Sequence, residues 1–315
     1  QNPSFSGTIT AAANTDGSGS LFKYTPPTGY KGLKQDNMPS GKDKSDFVWI
    51  KNRDASDHSQ LYDSVRGAFK RLKSSDTSTE ANVDNGLSKF LKGGFEVSGQ
   101  DNINAEGESI VGWNWVCNGG TTSANTDGSG AGACTFQVND TAGFAITQYT
   151  GTGSDLVVQH GLTKKPEWTL IKSLDYASQS WTGTHVGLTN PDNYNIYLDL
   201  TSAEGNAGEE YVVQGVTTTV LHGSGNQHNR SGTKYIMYSW TGIPGYSKFG
   251  TFTGNGNTDG PFIFTGFKPA WMMVKQTNTT NYWAIFDSAR STTNVMQHRL
   301  APNYNYVEKT LYLLK

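Results

Sequence analysis

The sequence predicts an all-β fold made of tandem antiparallel β-sandwich modules, on three observations. Glycine accounts for 37 of the 315 residues and aromatic residues for 12%, whereas only 17% are charged. Short runs of Val, Ile, Thr, Tyr and Trp are separated by Asn-Gly and Asp-Gly pairs, which is typical of strands joined by tight turns. A block of roughly 100 to 120 residues also recurs, too long for a solenoid repeat and suited to a tandem domain.

The repeat is clearest near the two ends of the chain. FVWIKN at 47–52 matches WMMVKQ at 271–276, and LYDSVR at 61–66 matches IFDSAR at 285–290, with no gap between them. Each block has an apolar run, a polar span and a second apolar run. This pattern predicts a strand, a turn and a second strand.

A third, more divergent copy lies between these two. PEWTLIKS at 166–173 aligns Lys172 with Lys51 and Lys275, but Thr184-His185 stands where the other copies have Asp-Ser. An Asp-Ser-x-Arg group that one copy lacks is a poor candidate for an active site needed in every copy. We interpret it as a turn held by bonds from the aspartate to the backbone, with the arginine paired locally.

Each copy is expected to end in a tryptophan-containing strand. SIVGWNW at 109–115 follows Lys51, and KYIMYSW at 234–240 follows Lys172 at nearly the same distance. The corresponding strand of the last copy would fall near residue 340, by this spacing of about 65 residues. Because residue 1 is Gln and no signal segment follows it, we expect a piece of a longer polypeptide.

These spacings predict four segments. The modules are expected to be sandwiches of the jelly-roll or concanavalin type. The segments are 1–40, the end of a preceding β-domain with a linker; 41–118, the first copy; 119–243, the second copy; and 244–315, a truncated third copy.

Several strings in combination carry a resemblance to a known family. They are FKYTPPTGYKGL at 22–33, the VWIKNRD and SQLYDSVRG blocks of the first copy, YTGTGS at 149–154, FTGNGNTDG at 252–260 and GYSKFG at 245–250. Together they resemble repeated β-domains in virion proteins of tailed phages, chiefly phages of marine bacteria and cyanobacteria. In that family the repeats often follow the end of a SPRY-type domain.

The resemblance implies a structural protein on the surface of a phage particle. It would be a tail fibre, a spike or a capsid-decorating fibre, with other virion proteins as partners and host attachment as its role. Homo-oligomerisation, as a trimer in many phage fibres, and binding to a host surface glycan or protein follow from the same resemblance. A polysaccharide depolymerase and a free carbohydrate-binding lectin remain the alternatives.

No catalytic residue, metal ligand or cofactor site is predicted, and we do not expect an enzyme. A serine nucleophile needs a base within reach, yet no histidine keeps a constant offset from Ser64 and Ser288. His222 and His228 lack a third ligand nearby in the sequence. The carboxyl pair Glu106 and Glu108 lies in a turn-like stretch rather than on a strand.

Aromatic residues in polar loops are the candidate ligand-binding groups. Trp181, Tyr194, Tyr282 and Trp283 lie beside Asn, Thr and Asp. Such mixtures stack on sugar faces and hydrogen-bond to hydroxyl groups. The same mixtures also occur in ordinary β-sandwiches.

Charge and hydropathy argue against two classes of partner. The formal net charge is −2 at pH 7, which disfavours nucleic acid. No stretch approaches the roughly 20 apolar residues of a membrane span. Cys117 and Cys134 flank a glycine-rich loop, so either a loop-closing disulfide or two thiols is open at this point.

Overall fold

The computed structural model describes most of the three copies. The described ranges are 46–91, 94–117, 123–124, 134–292 and 296–310. The segment 1–40, predicted as the end of a preceding domain, lies outside them. Within these ranges the only helix has four residues, and strands dominate. The prediction of an all-β fold is confirmed.

The first copy contains seven strands and the helix. They are β1 (Phe47–Asn52), β2 (Gln60–Asp63), β3 (Lys70–Lys73), β4 (Ala81–Asn82), β5 (Leu87–Leu91), β6 (Gly94–Val97), α1 (Asp101–Asn104) and β7 (Ile110–Trp115). Strands β4-β3-β2-β1-β7 form one sheet in that order, and β5 pairs with β6. Each of these pairings is antiparallel.

The second copy contributes eleven strands. They are β8 (Ser123–Ala124), β9 (Cys134–Asn139), β10 (Phe144–Thr150), β11 (Leu156–Gln159), β12 (Trp168–Ser173), β13 (Thr182–His185), β14 (Tyr194–Tyr197), β15 (Gly205–Asn206), β16 (Val212–Gln214), β17 (Thr218–Leu221) and β18 (Lys234–Trp240). Eight of them form a sheet in the order β15-β14-β13-β12-β18-β10-β9-β8, and β11-β17-β16 form a second sheet.

The third copy contains four described strands. They are β19 (Trp271–Val274), β20 (Ala284–Asp287), β21 (His298–Arg299) and β22 (Lys309–Thr310). Strand β19 pairs with β20, β21 pairs with β22, and a bridge between Ile285 and Leu300 connects the two pairs.

The pairing confirms the repeat read from the sequence. Strand β1 lies between β2 and β7, and β12 lies between β13 and β18. The register is also the same, because Phe47 lies opposite Trp115 and Trp168 lies opposite Trp240. The two Lys-ending strands and the two tryptophan-containing strands are therefore structural equivalents.

All three copies pack around one apolar core, which we call the central cluster. Its buried members include Phe47, Trp49 and Leu61 from the first copy, Phe144, Trp181 and Trp240 from the second, and Trp283, Ile285 and Leu300 from the third. Contacts cross the copy boundaries, with the Phe47 ring centroid 4.4 Å from that of Tyr238. Trp115 and Trp271 meet at 5.3 Å. Burial of this surface ties the copies to one another.

The first two copies also have an apolar core of their own on the opposite face of the sheet. In the first copy it comprises Val48, Ile50, Tyr62, Leu87, Phe90 and Ile103. In the second it comprises Cys134, Tyr149, Leu156, Val158, Ile171, Val212, Leu221, Tyr235 and Met237. Because successive side chains point to opposite faces, β1 and β12 are buried on both sides. This explains why both read as nearly continuous apolar runs.

Backbone hydrogen bonds link the copies in a closed cycle. In each, the amide N–H of a glutamate donates to the carbonyl of the residue two positions after the repeat lysine of the next copy. The three bonds are Glu80 to Leu174 at 2.9 Å, Glu204 to Thr277 at 2.8 Å and Glu308 to Arg53 at 2.8 Å. The third bond returns from the last copy to the first, so the copies are arranged with pseudo-threefold symmetry.

The Asp-Ser-x-Arg group is a turn, as interpreted from the sequence. Asp287 Oδ1 accepts hydrogen bonds from the backbone N–H groups of Ala289 at 3.1 Å and Arg290 at 2.9 Å. Arg290 Nε donates to Asp287 Oδ2 at 2.6 Å. Asp63 and Arg66 make the same set of bonds in the first copy.

In the second copy His185, rather than Thr184 as the sequence alignment suggested, takes the place of that aspartate. Trp168 lies opposite His185, as Phe47 lies opposite Asp63. The imidazole Nδ1 accepts a hydrogen bond from the backbone N–H of Gly187 at 2.9 Å. It therefore holds the turn in the way that an aspartate Oδ1 does.

Burial of His185 predicts a loss of stability in acid. Desolvation lowers the pKa of its imidazole to about 4. The folded protein then binds fewer protons than the unfolded chain, whose histidine titrates near pH 6.5. The stability contributed by neutral His185 is complete above pH 6.5 and is lost as the pH falls toward 4, by about 1–2 kcal/mol at pH 5 for this half-buried group.

The matched variant is His185→Asn, whose side-chain oxygen can still accept the Gly187 bond but does not titrate. Urea unfolding at pH 7.5 and pH 5 should show a smaller acid loss in H185N than in the parent protein. An equal acid loss in both proteins would contradict the assignment.

Candidate ligand-binding surface

Three tyrosines of the third copy form an exposed cluster, which we call the tyrosine platform: Tyr282, Tyr304 and Tyr306. The rings of Tyr304 and Tyr306 are stacked with centroids 4.0 Å apart. Tyr282 meets Tyr304 edge-on at 5.3 Å. Tyr282 and Tyr306 are 37% and 38% exposed, so their ring surfaces are accessible to a ligand.

Neighbouring contacts hold the platform in place. Tyr282 lies just before β20, and the other two tyrosines lie in the segment between β21 and β22. Asn303 connects them, because its side-chain oxygen accepts the backbone N–H of Trp283 at 3.1 Å and its side-chain amide donates to Leu200 O at 3.4 Å. The platform is therefore tied to the buried Trp283 of the third copy and to the backbone of the second copy.

A shallow depression with a cavity volume of about 20 Å³ lies against the platform. Its lining is Tyr282, Arg299, Ala301, Tyr306, Val307 and Lys309. Lys309 Nζ lies 4.8 Å from the centroid of the Tyr306 ring. Aromatic faces for stacking and two cationic side chains for pairing with an acidic group thus border one depression.

The hydroxyl group of Tyr306 is a hydrogen-bond donor at neutral pH. Its hydrogen bond with Tyr304, followed by partial desolvation and the neighbouring tyrosines, raises the pKa of Tyr306 to about 12. A protonated phenol can donate to a sugar hydroxyl or a carboxylate.

One family model matches the chain over residues 10–312, and its description is a domain of unknown function, DUF7483. This chain belongs to the DUF7483 family. The comparison with curated proteins finds no match, and the comparison with solved structures finds none either. The match runs through all three copies of this DUF7483 chain.

The structure places the four aromatic residues singled out from the sequence in different environments. Tyr282 belongs to the platform, and Tyr194 is half-buried against the central cluster. Trp181 and Trp283 are 0% and 5% exposed. The expectation that these two indoles present open faces in loops is therefore not met.

The reason for their burial is a repeated contact between copies. Trp181 Nε1 donates to Lys73 O of the first copy at 2.8 Å. Trp283 Nε1 donates to Tyr197 O of the second copy at 2.9 Å. Each indole follows its repeat lysine by nearly the same number of residues, and each bonds the last residue of an equivalent strand, β3 or β14.

The two cationic residues of the depression, Arg299 and Lys309, were not singled out in the sequence. Neither belongs to a motif, and each lies on a strand of only two residues. Only the pairing of β21 with β22 brings Arg299 opposite Lys309. The alternating tyrosines at 304 and 306 were the available signal for this surface.

Two of the repeat lysines, Lys51 and Lys172, are buried, and the third, Lys275, is half-buried. Desolvation lowers the pKa of Lys51 and of Lys172 to about 8 and also lowers that of Lys275. A lowered pKa can mark a functional lysine, but these ammonium groups donate to backbone carbonyls. Lys172 reaches Gln179 O at 2.9 Å, and Lys275 reaches Gln276 O at 2.7 Å.

Cys117 and Cys134 are not joined by a disulfide. Cys117 packs in the central cluster, whereas Cys134 packs in the second copy's own core on the opposite face of the sheet. Burial, with the nearby charge of Asp46 adding to it, raises the pKa of the Cys117 thiol. Of the two alternatives left open by the sequence, the structure shows two thiols.

Metal-ligand clusters and membrane-spanning helices are both absent from the part of the chain that the structure describes. Over the described ranges, no group of three or more His, Cys, Asp and Glu residues is placed to hold a metal ion. The same part of the chain includes no helix with the length and apolar character that crossing a bilayer requires.

Proposed function

We propose that this chain is a structural component of a phage particle, in a tail fibre, spike or capsid-decorating fibre, and that the tyrosine platform binds a host surface glycan. The observation that carries the binding proposal is the exposed tyrosine platform beside the depression with Arg299 and Lys309. The particle assignment rests on the sequence resemblance described above.

The chemistry of the platform favours a sugar ligand. Sugars present flat C–H faces that pack on aromatic rings, and hydroxyl groups that need polar partners. The platform offers the rings of Tyr282 and Tyr306, together with their phenol groups. Arg299 and Lys309 would favour a glycan that carries carboxylate or sulfate groups.

The scaffold is suited to recognition. Ligand binding is strongest when the binding groups are held in place before the ligand arrives. Asn303 and the buried Trp283 fix the platform segments against the second copy. A rigid surface with exposed tyrosines loses little conformational entropy on binding.

Replacing Tyr306 with alanine should weaken glycan binding by about tenfold or more, because it removes one stacking face and one hydroxyl donor. Ligands would first be identified on an array of neutral and acidic oligosaccharides, and the tightest one would then be titrated by calorimetry. Tyr246→Ala is the matched control, since Tyr246 is 56% exposed, lies in the turn bridged by Ile243 and Ser247, and does not line the depression.

Equal weakening in Y306A and Y246A, or none in Y306A, would exclude the platform as the binding surface. Release of reducing ends from the polysaccharide would favour the depolymerase.

Location is tested separately with gold-labelled antibody against this chain on intact particles. Label at tail tips supports attachment and label over the head supports decoration, whereas protein free in the medium contradicts the virion proposal.

A further inference from the structure

The sheet of the third copy lacks a strand that the other two copies possess. Strand β1 has β2 on one edge and β7 on the other, and β12 has β13 and β18. Strand β19 has β20 on one edge, but among the described residues no strand occupies its other edge. The equivalent position is therefore an open row of backbone N–H and C=O groups.

Apolar side chains around this edge are exposed where their equivalents are buried. Phe252 and Tyr149 both precede their repeat lysine by 23 residues, yet Phe252 is 51% exposed and Tyr149 is 1% exposed. Ile263 is 42% exposed, whereas its counterpart Val158 is 0% exposed. The two are aligned through Gly266 and Gly161, which follow them at the same distance. Met272 on β19 is 40% exposed. Among the described residues, the apolar face of the third sheet that points away from the central cluster is thus uncovered.

The missing element must resemble β7 and β18, and one stretch outside the described ranges does so. Aligning SLFKYT at 20–25 with IMYSWT at 236–241 keeps an aromatic residue at two alternate positions. The turn that follows β18 is matched as well. The matched pairs are Tyr24 with Trp240, Thr25 with Thr241, Gly29 with Gly245 and Tyr30 with Tyr246.

The alignment gives a register with the correct faces. Trp168 lies opposite Trp240 and Ile171 opposite Met237, so Tyr24 would lie opposite Trp271 and Leu21 opposite Val274. Tyr24 and Phe22 would then face the central cluster. Leu21 would face the exposed apolar residues on the other side of the sheet.

The substitution of His185 for aspartate fits the same register. Tyr238 of β18, in the second copy, donates to Asp63 of the first copy at 2.6 Å. Trp113 of β7, in the first copy, donates to Asp287 of the third copy at 3.0 Å. The equivalent residue of the missing strand would face His185. Phe22 occupies that position and has no donor, so it needs no carboxylate partner.

We propose that residues 20–25 form the missing strand on the free edge of β19 and complete the third sheet. The segment then belongs to the same folded unit as the third copy rather than to a preceding domain. The family match, which begins at residue 10 and includes this segment, is consistent with one unit. Residues 26–45 can bridge the distance, because 20 extended residues span up to about 70 Å.

A disulfide between strands tests the register in the full chain. In the double variant Leu21→Cys with Val274→Cys, mild oxidation should produce an intramolecular disulfide, seen by peptide mapping and non-reducing electrophoresis of dilute protein. The matched control is Phe22→Cys with Val274→Cys, which shifts the pairing by one residue and turns one sulfur to the opposite face. It should not crosslink.

Two results would overturn the proposal. Absence of the L21C–V274C disulfide, or equal crosslinking in the control, would show that the segment does not pair in this register. Disulfide-linked dimers of L21C/V274C would show that a second copy of the chain supplies the strand.

Hydrogen exchange provides a second measurement that needs no crosslink. Amides of β19 that point to its free edge should be protected in the parent chain and should exchange at least tenfold faster in the double variant Phe22→Asp with Tyr24→Asp. Amides of β1, already paired on both edges, should not change. Equal exchange of β19 in the parent chain and the variant would also overturn the proposal.

Discussion

Asp287→Ala is expected to lower the free energy of unfolding by about 2–4 kcal/mol, because it leaves a buried indole without an acceptor and leaves the buried Arg290 guanidinium with Glu308 as its remaining ion-pair partner. The side chains of Asp287 and Arg290 are 4% and 3% exposed. Trp113 Nε1 donates to Asp287 Oδ2 at 3.0 Å. Burial alone would raise the pKa of Asp287, but the hydrogen bonds and charge of Arg290 lower it, so the carboxylate is ionised at neutral pH.

Urea unfolding at pH 7.5 measures this loss. The control is Asp192→Ala, since the ion pair of Asp192 with Lys165 is about half exposed on each side and should contribute less than about 1 kcal/mol. Folded D287A should still bind glycan through the tyrosine platform. A loss of binding in folded D287A would contradict the interpretation of this group as a structural turn, as would a loss of stability no greater than that of D192A.

Trp181→Ala is expected to cost about 3–5 kcal/mol through the cavity that it leaves in the central cluster. Trp181 is 0% exposed, and its indole N–H bonds the first copy at Lys73 O, 2.8 Å away. The substitution therefore removes packing within the second copy and a bond to the first. Trp283→Ala should have an effect of the same order, because its indole makes the equivalent bond between the third and second copies.

Trp181→Phe separates the two contributions. Phenylalanine keeps most of the apolar volume but leaves the Lys73 carbonyl unpaired, for an expected cost of about 1–3 kcal/mol. Unfolding followed by tryptophan fluorescence and by circular dichroism should give one coincident transition, since the copies share one core. Two separate transitions, or a stability of W181A close to that of the parent protein, would contradict a shared core.

The local pattern of each copy could be predicted from the sequence. Apolar runs ending in Lys51, Lys172 and Lys275 marked β1, β12 and β19, and the Asp-Ser-x-Arg spacing marked the turns at Asp63 and Asp287. These features depend on neighbours within a few residues, such as bonds from an aspartate to the following N–H groups. Because each pattern occurs in more than one copy, comparison of the copies made it easier to recognise.

Only the tertiary structure showed that the copies pack around one core and what this does to individual residues. Trp181 and Trp283 stand among polar neighbours like any surface aromatic, and their burial depends on a carbonyl group in another copy. Tyr282 and Lys309 are likewise brought to one depression by the packing of separate segments. A sequence specifies local hydrogen bonds through nearby residues, whereas the burial of a side chain depends on surfaces that are far apart along the chain.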